Sequence, residues 1–317
     1  MENYNLKKGV IYASICIFTI GLQPVISNAR PRVIDPYLFG AINALFEAIL
    51  LLPVFLVDIN KLKRSLNNNP LLDKKTLSLI HGWKKKSSIR VIIIIGLTFS
   101  VVPVMLYIGY DLANPILSSL TMKSEIIFAL LFGYLILKEK INKIQVFFCF
   151  LLFFGLLIAI TGGSFNLLEF NLGVIILLLS VVLFTFVHTL TKVSFERNDL
   201  FPSQVVFIRN LLSGVILIIF YISFFPLSNL LLILDPINFA FFLLMSIDYG
   251  ASLYLWYKAL TYIEIGKTTI IISLTPIVSS VFSTLILGTE FTLYHLIGMM
   301  IIIFSISMIV REKKHNL

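Results

Sequence analysis

The chain is poor in charged residues and in cysteine. Charged side chains make up 13% of its 317 residues, about half of the share found in soluble domains. The two cysteines, Cys16 and Cys149, lie in separate apolar runs, which suggests neither a disulfide framework nor a metal site. No Asn-x-Ser/Thr sequon occurs, as is typical of a protein that is never glycosylated. These shortages exclude an ordinary soluble domain and a small disulfide-stapled one.

Apolar residues account for 58% of the chain and form runs of membrane-spanning length from end to end. The first run is longer than the core of a signal peptide, so we interpret it as a helix that is retained. The fold predicted from this pattern is all-α and integral to the membrane. Ten transmembrane helices are predicted, at residues 9–27, 37–57, 89–109, 115–137, 144–162, 173–191, 203–225, 237–257, 268–287 and 293–310.

The net charge of +9 is unevenly distributed along the chain. If the N-terminus is cytoplasmic, 21 of the 25 Lys and Arg residues fall in cytoplasmic segments, most of all in the basic loop 59–90, whereas the outer loops contain only Arg30 and Arg32. The positive-inside rule then predicts a multi-pass protein of the cell (cytoplasmic) membrane with both termini cytoplasmic. Topology explains the basic excess, with contact to lipid headgroups, and no nucleic-acid partner is predicted.

The two halves of the chain resemble each other. Residues 127–141 match residues 278–292 at an offset of 151, which makes Glu139 correspond to Glu290. Each repeat contains five helices, and an odd number forces the two copies into opposite orientations. We therefore predict two inverted five-helix repeats, at residues 1–162 and 163–317, an arrangement typical of secondary transporters. Two pairs of segments carry the resemblance: FTIGLQPVIS (18–27) with FTFVHTLTKV (184–193), and IFALLFGYLILKEKI (127–141) with VSSVFSTLILGTEFT (278–292).

The second half also contains a spaced pattern of Tyr-x-Ala-Leu, a helix with proline, Leu-Gly-x-Glu, and a glycine eight residues after the glutamate. With the segment LTMKSEIIF (120–128), this pattern resembles the EamA type of the drug/metabolite transporter superfamily. The resemblance covers nearly the whole chain and implies ten helices, two EamA repeats and transport of a small metabolite, often outward. The first half departs from the family pattern in having Ile126 in place of proline and LILKEKI (135–141) in place of Leu-Gly-Glu. The second-half pattern occupies Tyr257, Ala259, Leu260, Pro276, Leu287, Gly288, Glu290 and Gly298.

Ionisable residues inside the predicted spans mark the candidate site. Lys123 and Glu125 fall roughly 12 Å and 15 Å along the fourth predicted helix, near the middle of a hydrocarbon core about 30 Å thick. On a continuous helix they would be about 200° apart and would face opposite walls of a cavity. Glu47, Arg209 and Asp248 lie at similar depth in other predicted spans. Charges at this depth are costly and typically functional.

These residues are given roles as hypotheses. Lys123 would bind an anionic group of the substrate, and Glu125 would bind an amine or carry a proton. Three deep acids against two deep bases leave one carboxyl without a basic partner, and burial favours its neutral form, so Glu125 or Glu47 is the candidate for proton coupling. The remaining predicted site residues, together with Glu47, either line the cavity or brace its helices: Arg209, Asp248, Ser273, Thr275 and Pro276.

The predicted function is secondary-active or facilitative transport of a small metabolite. Export is the predicted direction, an amino acid is the candidate substrate, and alternating access would operate at a midplane site between the repeats. The predicted partners are a small-molecule substrate and membrane lipid, with a homodimer left open. No catalytic residue, metal or cofactor is predicted.

Three alternatives remain open at this point. An organic-anion or phosphorylated-sugar carrier of the same fold would need more cations than Lys123 and Arg209 supply. An intramembrane enzyme acting on lipid would need a nucleophile with its base, or a metal cluster, and the predicted spans contain neither His-x-x-x-His nor Asp-Asp. A non-transporting scaffold would leave the midplane charges unexplained.

Overall fold

The regular structure of this chain is helical throughout the part that the computed structural model describes. Glu139, a landmark of the predicted repeat, lies outside the described residues, as do the side chains of Tyr257 and Leu260. The described residues are 2–68, 74–138, 140–165, 171–262, 268 and 271–315.

Within these ranges the chain forms thirteen α-helices of eight residues or more. They are α1 (Glu2–Ala29), α2 (Pro36–Asn68), α3 (Lys74–His81), α4 (Lys86–Phe99), α5 (Val102–Ala113), α6 (Pro115–Met122), α7 (Glu125–Leu137), α8 (Lys143–Thr161), α9 (Leu172–Glu196), α10 (Pro202–Phe224), α11 (Pro236–Tyr262), α12 (Thr275–Leu287) and α13 (Leu293–His315). Two 3-10 helices lie in the connections, at Gly82–Lys84 and Leu227–Leu234.

The predicted membrane fold is confirmed. The structure contains α12, 13 residues long, at the end of the ninth predicted helix. Among the described residues, nine further helical stretches are long and apolar enough to cross a membrane, and they match the other nine predicted helices: Lys7–Ala29, Pro36–Leu66, Lys86–Ala113, Pro115–Leu137, Lys143–Thr161, Leu172–Phe195, Pro202–Phe224, Pro236–Trp256 and Leu293–Arg311.

The helices form two compact units, and each unit draws on both halves of the sequence. The first unit comprises Met1–Pro31, Met105–Thr185 and Ala251–Leu317, and the second comprises Arg32–Val104 and Phe186–Gly250. Helices α5, α9 and α11 each contribute residues to both units. The compact units are therefore not the same as the predicted repeats.

In the first unit, α8 and α13 pack closely together and run antiparallel. At one end the Gln145 side chain donates to the carbonyl of Ile309 at 3.3 Å. Further along, Gly155 and Gly298 face each other so closely that a Cβ on Gly298 would lie 2.6 Å from the Gly155 carbonyl oxygen. The absence of these two side chains is what lets the helix backbones approach. Buried apolar residues fill the rest of this contact: Leu152, Leu156, Ile302, Ile306 and Ile309.

Helix α1 is held in the first unit by contacts at its C-terminal end. Arg30 makes a bidentate ion pair with Asp111, with N–O distances of 2.7 and 2.6 Å. The Asn28 side chain donates to the carbonyl of Tyr110 at 2.7 Å. Both partners belong to the end of α5, so these bonds fasten the ends of the two helices together. An Arg–carboxylate fork of this kind also fixes orientation, because two parallel bonds form at once.

In the second unit, α2 and α10 pack antiparallel along their length. The Tyr221 hydroxyl near the end of α10 donates to Asp35 before α2 at 2.7 Å. At the other end, the Ser203 hydroxyl donates to Asp58 at 2.7 Å. The C-terminal end of α10 is therefore bonded to the residue before α2, and its N-terminal end is bonded to Asp58, ten residues before α2 ends.

The basic segment between α2 and α4 differs from the predicted solvated loop. Helix α2 has 33 residues, roughly 50 Å at 1.5 Å per residue, and so exceeds a hydrocarbon core of about 30 Å. Helix α3 then buries Thr76 and Ile80, one helical turn apart, within the second unit. This part of the segment is therefore a packed helix and not a loop.

Candidate functional site

The fourth predicted helix is interrupted at the predicted site. It begins as predicted at Asn114-Pro115, where the Asn114 side chain accepts from the Leu117 N–H at 3.0 Å. Helix α6 ends at Met122, and α7 begins at Glu125. The backbone N–H of Ile127 bonds the carbonyl of Ser124 at 3.0 Å, three residues back rather than four. The break forms without a proline, since Ile126 stands where the family pattern has one.

A corresponding break precedes α12. Residues 271–272 are helical, Ser273 and Leu274 form a turn, and α12 starts at Thr275. Pro276 is therefore the second residue of α12, immediately after the break, rather than midway along a continuous helix. Ser273 follows Lys123 by 150 residues, within one residue of the offset at which the two halves match. The two predicted repeats thus carry their interruptions at corresponding positions.

The two breaks, both in the first unit, are joined by a hydrogen bond. The Lys123 ammonium donates to the backbone carbonyl of Ile272 at 3.2 Å. Glu125 lies in the first turn of α7, where the helix dipole favours negative charge. Because the helix is interrupted, the angle of about 200° expected for Lys123 and Glu125 on a continuous helix does not apply. Ion pairing between them is absent from the described structure, in which Arg30 pairs with Asp111 and Lys85 with Asp199.

Three buried hydroxyl residues lie within or next to these breaks. Ser273 and Thr275 are both 1% exposed, in the turn before α12 and at its first residue. Ser124, between Lys123 and Glu125, is equally buried, and its Oγ finds no hydrogen-bond partner in the described part of the chain. A buried hydroxyl without a partner is costly, and a bound polar ligand would supply one.

The second unit contains a different buried polar cluster. The Asn210 amide donates to Glu47 Oε2 at 2.8 Å, and its oxygen accepts from Arg209 Nε at 3.0 Å. All three residues are less than 5% exposed. Arg209 is thus linked to Glu47 through Asn210.

Aromatic rings enclose the Arg209 guanidinium. Its Cζ lies 4.1 Å from the centroid of the Phe99 ring and 5.9 Å from that of Tyr249. The His188 ring stacks on Phe99 with centroids 5.9 Å apart. Cation–π contact is one of the few ways to stabilise a guanidinium away from water. This stacking joins His188 to the cluster around Arg209.

The predicted site residues therefore divide into two sets. Asp248 is buried in the second unit, as are Glu47 and Arg209. The first unit contains the other predicted residues: Lys123, Glu125, Ser273, Thr275 and Pro276. Among the residues that the structure describes, no three His, Cys, Asp or Glu side chains are placed to hold a metal ion.

Asn210 is a deep polar residue of a predicted span, but the charge count gave it no role. The Ile272 carbonyl was missed by sequence reasoning about side chains. Its signal was Pro276, four residues later, because a proline there cannot donate the N–H that this carbonyl would accept in a regular helix.

Comparison with known proteins agrees with this architecture. The chain matches the protein family described as "EamA-like transporter family" over residues 7–161 and again over 171–311. Chains of solved structures also match, and one of them, described as "Crystal structure of protein", has a TM-score of 0.61 at 14% identity over 99% of this chain and 98% of that one. No curated protein matches.

The structural match at this identity shows the fold alone. The two family matches cover nearly the whole chain and confirm the resemblance seen in its motifs. They identify a multi-pass membrane protein whose relatives transport small molecules. The chain belongs to the EamA-like transporter family.

Proposed function

We propose that the protein carries a small metabolite by alternating access and that the substrate binds where the two interrupted helices meet in the first unit. The contact between Lys123 and the Ile272 carbonyl carries this proposal, because it joins the interruption of one predicted repeat to that of the other. Discontinuous helices commonly form transporter sites, since their free ends present partial charges and backbone groups to a substrate. The site would thus lie at the contact of the two repeats.

The groups at the breaks suit a substrate with a negative and a positive end. The Lys123 ammonium now donates to a neutral carbonyl, and a carboxylate would be a stronger acceptor. Glu125 would bind an amine, and the Ser124 hydroxyl would gain its missing partner. An amino acid is the class of zwitterion that fits. Three further residues would contribute hydrogen bonds or backbone freedom next to the second break: Ser273, Thr275 and Pro276.

Coupling to protons is proposed for one of two carboxyl groups. Glu125 is the first candidate, because it adjoins the proposed substrate site and makes no ion pair with Lys123 in the described structure. Glu47 is the second, since its Oε2 accepts from a neutral amide. Arg209 and Asp248 would line the transport path or brace the helices of the second unit. Export is proposed from the family resemblance, and a cell membrane with both termini cytoplasmic is proposed from the positive-inside count.

The test is counterflow into proteoliposomes loaded with a mixture of amino acids, organic anions and sugar phosphates, read by mass spectrometry at two pH values. The wild type should exchange a narrow set of compounds, with amino acids among them. Lys123→Ala and Glu125→Gln should each strongly reduce this exchange, because each removes one charged group from the proposed site. If Glu125 carries the proton, Glu125→Gln should also remove any effect of pH on residual exchange.

Gln145→Leu provides the matched control, since Gln145 is buried in the same unit but belongs to the α8–α13 contact. It should leave substrate selectivity unchanged. Exchange that survives both site variants would contradict the proposed site and leave these residues as helix-packing groups. Selective exchange of sugar phosphates instead of amino acids would contradict the substrate class, and no exchange by folded wild-type protein would contradict the transport mechanism.

A further inference from the structure

The segment that precedes α4 has an exposed apolar and basic surface. This surface, here called the α3 platform, consists of α3 (Lys74–His81) and the 3-10 helix Gly82–Lys84, followed by Lys85 and Lys86. While α3 buries Thr76 and Ile80, it leaves Leu77 47% exposed on another face.

The platform is fastened to the second unit at Asp199, in the connection between α9 and α10. The Lys85 ammonium forms an ion pair with the Asp199 carboxylate, and it also donates to the Ser78 hydroxyl at 3.2 Å. Gly82 packs against the Asp199 backbone so closely that any Cβ there would collide with it. The platform therefore has a fixed place in the second unit, and Lys85 is already engaged.

The exposed face of the platform lies beside the start of a membrane span. The span that contains α4 begins at Lys86, so Trp83 lies three residues before it. Trp83 is 41% exposed, and the Lys84 ammonium lies 5.6 Å from the centroid of its ring. Lys84 and Lys86 are both exposed. Tryptophan favours the membrane–water interface, and lysines next to a span extend their ammonium groups to the headgroups.

We propose that the α3 platform is a binding surface for anionic phospholipid headgroups. Trp83 and Leu77 would enter the interfacial region, while Lys84 and Lys86 would bind lipid phosphates. A basic juxtamembrane surface attracts anionic lipid by roughly fivefold in local concentration per lysine. The exposed tryptophan favours a lipid surface over a nucleic acid or an acidic protein, because it lies three residues before the start of a span, where tryptophan commonly occupies the membrane–water interface. Lys85 would not contribute, since Asp199 occupies it.

The sequence makes this surface directly measurable, because it contains only two tryptophans. With Trp256→Phe, Trp83 becomes the sole tryptophan. The full-length variant is reconstituted into equal parts of phosphatidylcholine and phosphatidylglycerol, with bromine on the acyl chains of one lipid or the other. Quenching of Trp83 should be stronger when the anionic lipid is brominated. Lys84→Gln with Lys86→Gln should lower this preference about fivefold per lysine.

Lys140→Gln with Lys143→Gln is the matched control, because these lysines are also exposed and Lys143 also begins a span, but no tryptophan adjoins them. This control should keep the preference at Trp83. If Trp256→Phe fails to fold, the difference between wild type and Trp83→Phe supplies the same signal. Equal quenching by both lipids, or none by either, would overturn the proposal. So would a Trp83 response in detergent to an RNA oligonucleotide or an acidic peptide without lipid preference.

Discussion

The Lys123 ammonium of one interrupted helix donates to the Ile272 carbonyl of the other, at 3.2 Å. In a regular helix this carbonyl would accept from the N–H of residue 276, and residue 276 is a proline. Lys123 therefore supplies a donor that Pro276 cannot. Lys123 has two roles in this arrangement. It links the two breaks by a hydrogen bond, and it is the cation proposed to bind the substrate.

This relationship predicts coupling between Lys123 and Pro276 in a double-mutant cycle. With Pro276→Ala, the new N–H can serve the Ile272 carbonyl, so the lysine is no longer needed for it. The change in the free energy of unfolding caused by Lys123→Met should therefore be more destabilising, by about 1 kcal/mol, when Pro276 is present than in the Pro276→Ala background. Unfolding of the four proteins in detergent, followed by circular dichroism, measures this difference.

The effect of either substitution alone on the free energy of unfolding does not test this prediction, because removing a buried ammonium also removes its desolvation cost. The test is the interaction energy between the two substitutions. Strictly additive effects of Lys123→Met and Pro276→Ala would contradict the exchange of donors. As a control for the proline effect alone, Pro103→Ala introduces an N–H after the break between α4 and α5 and should add independently to Lys123→Met.

The interruptions show which parts of this structure the sequence could predict. Pro276, which follows Ser273 and Thr275, was a usable signal for the break before α12. Pro103, three residues after Ser100, was a similar signal for the break between α4 and α5. Nothing comparable marked the break at Lys123, because Ile126 has an N–H and suits a continuous helix. The predicted span was correct, whereas the relative direction of Lys123 and Glu125 depended on a local bonding pattern that hydrophobic periodicity does not encode.

The cluster in the second unit predicts a large cost for losing Asn210. Its amide bonds Glu47 and Arg209 simultaneously, so Asn210→Leu leaves both buried groups without their shared partner. We expect a destabilisation of about 3 kcal/mol in detergent unfolding. Ser213→Ala is the control on the same helix, since its hydroxyl only donates to the Asn210 carbonyl, and it should cost about 1 kcal/mol or less. Equal small effects would contradict a structural role for this bridge.

The sequence indicated that Glu47 and Arg209 are deeply placed but not how they interact. Charge counting favours a direct ion pair, and it treats a neutral amide as irrelevant. The structure instead uses Asn210, which can donate and accept at once. The Phe99 ring contributes in a way that sequence could not single out, because the chain contains 28 phenylalanines and only the packing of α4 brings one over the guanidinium.

The ends of α7 and α12 predict a stabilising substitution. Gly288 ends α12 in the left-handed conformation with φ 65°, and Lys138 ends α7 with φ 56°. A non-glycine residue is unfavourable there by about 1 kcal/mol. Lys138→Gly should therefore raise the free energy of unfolding by about that amount, while Lys138→Ala, which keeps a Cβ, should change it little.

Gly288→Ala gives the reciprocal test at the end of α12, within one residue of the position that corresponds to Lys138 in the second predicted repeat. No atom lies within 4 Å of the position that its Cβ would take, so any effect comes from the backbone conformation alone. We expect a loss of about 1 kcal/mol in the same unfolding assay. A loss of stability with Lys138→Gly, or a gain with Gly288→Ala, would contradict a free-energy cost of the left-handed conformation for residues with a Cβ at these helix ends.

The close approach of α8 and α13 predicts that Gly298→Ala is disruptive. Its Cβ would lie 2.6 Å from the Gly155 carbonyl oxygen and 2.8 Å from the Ala159 Cβ, so the helices must separate. Overpacking of this kind costs about 2 kcal/mol or more in unfolding free energy. Gly250→Ala is the matched control, because its Cβ would meet Glu47 Cγ at 3.7 Å and helix propensity alone favours alanine by about 1 kcal/mol. If both substitutions destabilised the protein equally, the close backbone approach of α8 and α13 would not be the cause, and the helices would instead be generally intolerant of larger residues.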